Sequence, residues 1–224
     1  MSYVIIKQPR VYPRQWAYQY FKRFFDLCLC TMALPLLVPL MAVCAIAIRL
    51  DSPGPALFIQ NRIGKGGKLF RLYKFRTMQD RLNDEKNRSY MKSYVKGEVG
   101  FDANGKAVYK PAAASEITRV GRVLRKTSLD EIPQIFNVLR GEMSIIGPRP
   151  NVTWEVEAYT NWHHERLEVL PGITGLAQIR GRSGINFNSL VRYDIEYIEK
   201  QSVALDLRIL FETFLVVVRA EGAM

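Results

Sequence analysis

Two adjacent carboxylates, Asp130 and Glu131, are the residues of this sequence whose types and spacing best suit them for chemistry. Pro133 is tolerated in the first turn of a helix, where its missing N–H is not needed, so a helix is expected to begin between Leu129 and Ile132. The Asp130–Glu131 dyad would then lie at a helix N-terminus, where free N–H groups and a partial positive charge favour phosphate. One carboxylate could attack phosphorus and the other could hold Mg²⁺, which prefers hard oxygen ligands.

The same spacing also allows a purely structural role for the dyad. Ser128 and Glu131 match a capping box, although that register places Pro133 deeper in the helix than a proline is usually tolerated. Acidic residues at the start of a helix also commonly serve as caps and as partners in surface ion pairs. Spacing alone does not decide between capping and catalysis.

The composition limits the classes of partner that the protein can have. Its 224 residues are 48% hydrophobic, which is enough to bury a core and excludes a disordered or collagen-like chain. The 32 Lys and Arg residues outnumber the 21 Asp and Glu residues, giving a formal net charge of +11. Such an excess favours anionic partners, which include nucleic acid, an acidic membrane surface and phosphorylated small molecules.

Cysteine and histidine are placed unfavourably for metal binding or for disulfide bonds. The three cysteines all lie in one apolar run, which excludes a disulfide framework and a zinc ribbon. The two histidines, His163 and His164, are neighbours that point to different sides of a helix, so a metal site built on histidine is not expected.

The apolar run covers residues 27–48 and carries no formal charge. At about 1.5 Å per residue it is nominally long enough to cross the hydrocarbon core of a bilayer, which is about 30 Å thick. Pro35 and Pro39 predict a sharp bend in its middle, and cations flank both of its ends, which the positive-inside rule assigns to the cytoplasm. A re-entrant hairpin is therefore expected, and a kinked spanning helix stays open as the alternative.

Periodicity and turn residues predict the remaining elements. The expected strands cover 56–60 and 68–78 around a turn, and a further short strand covers 143–146. The expected helices cover 80–97, a segment from Thr118 onward, 151–170 and 189–200, with a hairpin turn at Asn104-Gly105 and a loop over 173–182. The stretch 205–220 is expected to be an amphipathic helix at the membrane interface, or else a packed core helix.

Short motifs in a fixed order extend the interpretation over most of the chain. They are residues 21–26 (FKRFFD), 51–55 (DSPGP), 73–78 (YKFRTM), 118–122 (TRVGR), 124–134 (LRKTSLDEIPQ), 137–144 (NVLRGEMS), 147–150 (GPRP), 171–178 (PGITGLAQ) and 181–182 (GR). With these motifs the chain resembles the monotopic phosphoglycosyl transferases of bacteria, which begin lipid-linked glycan assembly. The membrane helix of that family breaks at a Ser-Pro pair, whereas this sequence has Val38-Pro39 at the equivalent place.

The resemblance implies a two-step transfer of a phosphosugar from a UDP-sugar to polyprenyl (undecaprenyl) phosphate, with release of UMP. Asp130 would attack the phosphorus and form an aspartyl-phosphosugar, and Glu131 would help to bind Mg²⁺, so that both dyad residues are candidate metal ligands. Arg125, Arg149 and Arg182 match arginines of the family and are assigned to the substrate. Lys126 is assigned to the substrate as well, as part of the cationic run ahead of the dyad.

The fold class expected from these features is α+β, with a single small α/β catalytic domain and amphipathic interfacial helices. The expected division is a basic and aromatic arm (1–26), a re-entrant membrane helix (27–50) and a cytosolic catalytic domain (51–224). The protein is expected on the cytoplasmic face of the bacterial inner membrane, where it would act in exopolysaccharide, O-antigen or glycoconjugate assembly. Membrane lipids are expected partners, nucleic acid is not, and a homo-oligomer is allowed.

Two alternative functions stay open, and the transferred sugar is not determined. A membrane-tethered nucleic-acid-binding protein would explain the positive charge, but the cations are dispersed rather than arranged as a binding stripe. An inactive relative that serves as an assembly scaffold would also keep the motifs.

Overall fold

The computed structural model describes residues 16–79, 85–98, 116–181 and 185–218. Within these ranges the strands are β1 (Leu57–Ile63), β2 (Leu69–Phe75), β3 (Ser144–Ile146) and β4 (Gly172–Thr174). The helices are α1 (Trp16–Asp51), α2 (Glu85–Lys96), α3 (Arg119–Lys126), α4 (Ile135–Leu139), α5 (Thr153–Val156), α6 (Leu176–Gly181), α7 (Phe187–Glu199) and α8 (Val203–Val218). The predicted mixture of helices and strands is confirmed. The expected turn at Asn104-Gly105 and residues 1–15 lie outside the described residues.

The strands form two small sheets. β1 and β2 pair in antiparallel register from Leu57 opposite Phe75 to Ile63 opposite Leu69, which confirms the predicted hairpin. A 3₁₀ turn (Lys65–Gly67) joins them, and Gly66 adopts φ +66, a conformation that favours glycine. β3 and β4 pair in parallel, with Ser144 opposite Gly172.

Two predictions of local structure are wrong. The segment 173–182, expected to be a loop, contains the end of β4 and α6, because close backbone contacts between Gly147 and Gly172 allow a strand pairing too short to leave a hydrophobic pattern. The segment 151–170, expected to be one helix, is divided into α5 and a 3₁₀-helix (Asn161–Leu167). Asn151 instead forms an isolated bridge with Ile63 of β1, which ties this segment to the hairpin.

α1 packs one of its faces against the rest of the protein over most of its length. Tyr18 donates a hydrogen bond of 2.7 Å to Asp206 of α8, and Asp26 accepts one of 2.6 Å from a hydroxyl of β3. At the other end, Asp51 accepts a hydrogen bond of 2.8 Å from the backbone N–H of Val120 in α3. Tyr18 and Asp51 are separated by about 50 Å along a straight helix. Long-range contacts therefore hold both halves of α1.

The opposite face of α1 is apolar and points away from the protein. With about 100° between successive residues, its most exposed aliphatic side chains fall within one narrow sector and are 60–84% exposed: Met32, Leu36, Val43, Ile46 and Leu50. By length and composition α1 could cross a membrane, but core helices and signal sequences meet the same criteria. We call this sector the outer face of α1.

The predicted bend of α1 and the predicted division of the chain stay predictions. Pro35 and Pro39 both lie inside α1, which is assigned as one helix from Trp16 to Asp51. Residues 16–26, which were assigned to the arm, belong to the same helix as the apolar run.

A buried amide, Asn137 of α4, supports the free edge of β2. Its side chain is fully buried and donates a hydrogen bond of 2.6 Å to the backbone oxygen of Arg71. Its Oδ1 accepts a hydrogen bond of 3.2 Å from the backbone N–H of Tyr73, and Glu142 accepts a second bond from its amide nitrogen. Asn137 therefore replaces a neighbouring strand and fixes the part of β2 that carries Lys74.

We predict that Asn137→Ala lowers the free energy of unfolding by about 2 kcal/mol, because the backbone groups of β2 lose their partners in a buried place. Urea unfolding followed by circular dichroism measures this loss. Asn161→Ala, at an exposed position, is the matched control and should change stability by less than about 0.5 kcal/mol. Equal effects of the two substitutions would contradict the proposed support of β2.

Candidate active site

The dyad lies in a 3₁₀-helix (Leu129–Gln134) that leads directly into α4, rather than in the α-helix that the sequence predicted. Ser128, which precedes it, has φ +57, the left-handed region that side chains other than glycine seldom adopt. Ser128 makes no side-chain cap, so the capping box with Glu131 is not formed. Pro133 lies inside this turn. A strained residue next to the dyad is typical of functional sites.

Lys74 of β2 binds both carboxylates of the dyad. Its Nζ lies 2.7 Å from Glu131 Oε1 and 3.4 Å from Asp130 Oδ2. The three side chains are largely withdrawn from solvent, with between 12% and 20% of their surface exposed. The hairpin therefore delivers one cation to two neighbouring anions.

Arg149 supplies a second cation from the loop that follows β3. Its Nη1 lies 3.2 Å from the same Oε1 of Glu131, while about half of the Arg149 side chain stays exposed to solvent. Glu131 is thus held between Lys74 and Arg149, whereas Lys74 is the only described residue whose side chain binds Asp130, at a longer distance. The exposed guanidinium leaves donors available for an anionic ligand.

The two carboxylates have opposite electrostatic environments. Burial raises the pKa of Asp130 above its ordinary value, although Lys74 opposes this shift. Burial also disfavours the charged form of Glu131, but Arg149 and Lys74 outweigh it and lower the pKa of Glu131 to about 2. Asp130 is therefore the more basic carboxylate and Glu131 the fixed anion, a division of roles that suits a nucleophile and a supporting group.

The other predicted substrate ligands are placed less directly. Arg125 donates a hydrogen bond of 2.9 Å from Nε to the hydroxyl of Thr77, at the end of the YKFRTM motif. Lys126 is exposed and makes no hydrogen bond or ion pair with the described residues. Arg182 lies outside the described residues. The structure thus brings Arg149 to the dyad, and the substrate roles of all four cations stay predictions.

The dyad fits Mg²⁺ if the ion is shared with a phosphate ligand. Asp130 Oδ1 and Glu131 Oε2 accept no hydrogen bond from the described residues. A group of three or more His, Cys, Asp or Glu side chains that could hold a metal does not occur in that part of the chain. Mg²⁺ is commonly bound by one or two carboxylates together with substrate phosphates and water, so two free carboxylate oxygens are an adequate donor set.

Lys74 is the residue that the sequence analysis missed. It lies inside a motif quoted for the family resemblance, but nothing in its local pattern distinguished it from the other cations. The alternation of side chains along β2 could have identified it. Residues two apart in a strand point to the same face of the sheet, and Leu72, two residues before Lys74, is buried. A lysine on the inward side of a strand needs an anionic partner.

The profile of the family described as bacterial sugar transferase matches residues 17–220. The chain belongs to this family. The resemblance that the motifs predicted is therefore confirmed, and the dyad, Lys74 and Arg149 all lie within the matched region.

Individual relatives are similar over most of the chain. It is 38% identical over 205 residues to the undecaprenyl-phosphate galactose phosphotransferase of Salmonella typhimurium, an alignment that covers 92% of this chain and 42% of that protein. It is 40% identical over 200 residues to the UDP-glucose:undecaprenyl-phosphate glucose-1-phosphate transferase of Caulobacter vibrioides, an alignment that covers 86% of this chain and 67% of that protein. It is 36% identical over 202 residues to the exopolysaccharide production protein ExoY of Rhizobium meliloti, an alignment that covers 90% of this chain and 87% of that protein. The chain thus spans less than half of the Salmonella relative.

We predict that substitutions of the two carboxylates change stability in opposite directions at pH 7 in the absence of divalent cations. The pKa of Asp130 is higher in the folded than in the unfolded state. The protein therefore loses stability as the pH rises above the unfolded value of about 4 and through the raised pKa of the folded state, and Asp130→Asn should be more stable than the wild type at pH 7. The pKa of Glu131 is lowered by folding, so Glu131→Gln should lose about 1–2 kcal/mol. Urea unfolding midpoints measure both changes.

The pH dependence supplies the control for this prediction. Below pH 3 the difference between Asp130→Asn and the wild type should shrink, because the wild-type aspartate is then largely protonated in both states. Destabilisation by both substitutions at pH 7 would contradict the assigned electrostatic environments.

Proposed function

We propose that the protein transfers a phosphosugar from a UDP-sugar to polyprenyl phosphate, giving polyprenyl-diphosphate-sugar and UMP. The observation that carries this proposal is the arrangement of Asp130, a buried carboxylate, beside the fixed Glu131–Lys74–Arg149 cluster. The names of the Salmonella and Caulobacter relatives, which specify undecaprenyl phosphate as a substrate, support the same reaction class. The alternatives of a nucleic-acid-binding protein and an inactive scaffold are tested by the same assay.

In the first step, a carboxylate oxygen of Asp130 attacks the phosphorus that carries the sugar. A bond forms between this oxygen and phosphorus, and the bond from phosphorus to the bridging oxygen breaks, so that UMP leaves with the electron pair. Burial leaves the Asp130 carboxylate weakly solvated, which makes its lone pairs more available to phosphorus. Arg149, which is half exposed, can donate to the diphosphate oxygens.

In the second step, a phosphate oxygen of the lipid attacks the aspartyl-phosphosugar. The new diphosphate bond forms as the bond between Asp130 and phosphorus breaks, which returns the carboxylate to its starting state. Lys74 lies within reach of both carboxylates and stabilises Asp130 as it regains its negative charge. Glu131 keeps Lys74 and Arg149 in place through both steps.

Asp130 and Glu131 are the residues that would hold Mg²⁺ together with the diphosphate. When bound, the ion supplies positive charge that shields the phosphate oxygens from the approaching carboxylate. The net positive charge of the protein acts in the same direction, because both substrates are anions.

The proposed location is the cytoplasmic face of the inner membrane, with α1 held in one leaflet. The outer face of α1 needs an apolar environment, and its packed face is fastened to the domain at both ends. A helix that left the domain to cross the bilayer would lose these contacts. α8 adds a stripe of exposed apolar side chains that suits the membrane interface: Val203, Leu207, Phe211 and Phe214.

The names of the relatives bear on the transferred sugar and on the wider pathway. The names of different relatives specify galactose, glucose and N-acetylgalactosamine. The name of the Rhizobium meliloti relative supports a role in exopolysaccharide production. We therefore propose an initiating step of surface-polysaccharide assembly, and we leave the donor to a direct assay.

We predict that the purified protein releases UMP from at least one UDP-sugar when undecaprenyl phosphate and Mg²⁺ are present, and that Asp130→Asn abolishes both release and the covalent adduct. The amide cannot attack phosphorus, so turnover should fall at least about 1,000-fold. Intact-protein mass spectrometry detects the adduct when the lipid is omitted. Glu212→Gln, which alters a carboxylate of α8, is the control and should keep both activities.

Two outcomes would contradict this proposal. Absence of UMP release across a broad panel of UDP-sugars would reject the enzyme and favour a scaffold or a nucleic-acid-binding role. An adduct that survives in Asp130→Asn would reject Asp130 as the nucleophile.

We also predict that single cysteines at positions 10 and 65 are labelled from the same side of the membrane. The variants Arg10→Cys and Lys65→Cys are made in a background in which Cys28, Cys30 and Cys44 are replaced by serine. In sealed inside-out vesicles, a membrane-impermeant maleimide should label both cysteines, and in intact spheroplasts it should label neither. Labelling from opposite sides would contradict the re-entrant arrangement and support the alternative of a helix that spans the membrane.

A further inference from the structure

Arg166 of the 3₁₀-helix Asn161–Leu167 is buried, with only 2% of its surface exposed. Its guanidinium pairs with Asp194 of α7 at 2.5 Å, and Asp194 is equally buried. Neither residue belongs to a sequence motif that was assigned a role, and neither contacts the dyad. A buried ion pair of this kind contributes little net stability, because desolvation offsets much of the attraction.

The remaining donors of Arg166 are directed at the loop that carries Arg149. Nη2 donates a hydrogen bond of 3.1 Å to the backbone oxygen of Arg149, and Nη1 donates one of 2.6 Å to Asn151 Oδ1. Nη1 also contacts the hydroxyl of Tyr159 at 3.0 Å. Arg166 thus binds the loop at two points, and Asp194 holds Arg166.

The β1 strand holds the same loop from another direction. Arg62 Nη1 donates a hydrogen bond of 3.0 Å to the backbone oxygen of Pro150, and the N–H of Ile63 donates one of 2.9 Å to the backbone oxygen of Asn151. Three successive carbonyl groups, those of residues 149, 150 and 151, are therefore bound by donors from two separate elements. An ordinary surface loop does not need its backbone fixed at every residue.

We propose that Arg166, Asp194 and Arg62 are positioning residues, which fix the backbone of residues 149–151 so that the side chain of Arg149 stays against Glu131. This inference rests on the proposed function for its kinetic consequence, although the contacts themselves do not depend on it. Asp194 acts through Arg166, and Arg166 and Arg62 act through the loop. None of the three touches the reacting atoms.

The pKa of Asp194 agrees with a role in positioning rather than in stability. Burial raises the pKa of Asp194 to about 6 despite the adjacent guanidinium of Arg166. The ion pair therefore recovers only part of the free energy that is lost when this carboxylate is removed from water. A buried charge pair that fixes geometry can be retained without stabilising the fold.

A double-mutant cycle with Arg149→Gln tests the proposal. Asp194→Asn should lower kcat/KM for the UDP-sugar by about tenfold to a hundredfold, because small displacements of a positioned group reduce the rate by such factors. In the presence of Arg149→Gln, the further loss on adding Asp194→Asn should be less than about twofold, because the residue that it positions is already absent. Thermal unfolding of each variant confirms that it is folded at the assay temperature.

Asp206→Asn is the matched control for this cycle. Asp206 is also a buried aspartate, bound by Lys22 and by the hydroxyls of Tyr18 and Tyr197, where α1 meets α8. Its effect on kcat/KM should multiply with that of Arg149→Gln, as expected for a residue that acts only on stability. Effects of Asp194→Asn that multiply in the same way would overturn the proposal.

Two further measurements keep the test decisive. If Asp194→Asn does not fold, Arg62→Gln replaces it in the cycle, because Arg62 lies partly exposed on a hairpin, and the same loss of effect is expected. Hydrogen exchange of the Ile63 amide reports the loop without any turnover, and Asp194→Asn should accelerate it at least about tenfold, whereas Asp206→Asn should not. Unchanged exchange would overturn the proposal, and a wild type that releases no UMP would contradict only the proposed function.

Discussion

Two neighbouring carboxylates can remain ionised in a partly buried site only if cations lie against them, and this requirement governs the arrangement around Asp130 and Glu131. Lys74 lies against both carboxylates, and Arg149 lies against Glu131. The cations offset the cost of burial unequally. Glu131, between two cations, is held as a permanent anion, whereas Asp130 stays poorly solvated. The difference in chemical role between two adjacent acids therefore arises from their surroundings and not from their chemistry, which is nearly the same.

Successive layers of polar contacts hold these cations. Asn137 binds the edge of β2 beside Lys74, and Arg166 binds the loop of Arg149. Because the supporting groups are buried amides and ions, their hydrogen bonds are strong and their geometry is narrow. The site thus depends on contacts that lie well outside the region a substrate would touch, as preorganised electrostatic sites generally do.

Local signals in the sequence predicted a good part of this molecule. Thr118 caps α3, at the residue from which the sequence predicted a helix. The turn between β1 and β2 followed from its glycines. The dyad itself was recognised because both of its members are adjacent in the chain and belong to a family motif.

Contacts between distant parts of the chain could not be predicted in this way. Lys74 and Glu131 are 57 residues apart, and Arg166 and Asp194 belong to different helices. A single sequence gives no sign of which lysine or arginine will be buried, since burial is decided by the packing of elements far apart in the chain. The pairing of β3 with β4 was missed because three residues are too few to show a period.

The outer face of α1 has a consequence for how the protein would meet the proposed lipid acceptor. With lipid against this face, enzyme and acceptor diffuse in one plane, and the frequency of their encounters depends on the number of acceptor molecules per unit of membrane area. Diluting the acceptor with inert lipid would then slow the reaction even at a constant bulk concentration, whereas the soluble donor would still be governed by its concentration in the surrounding water.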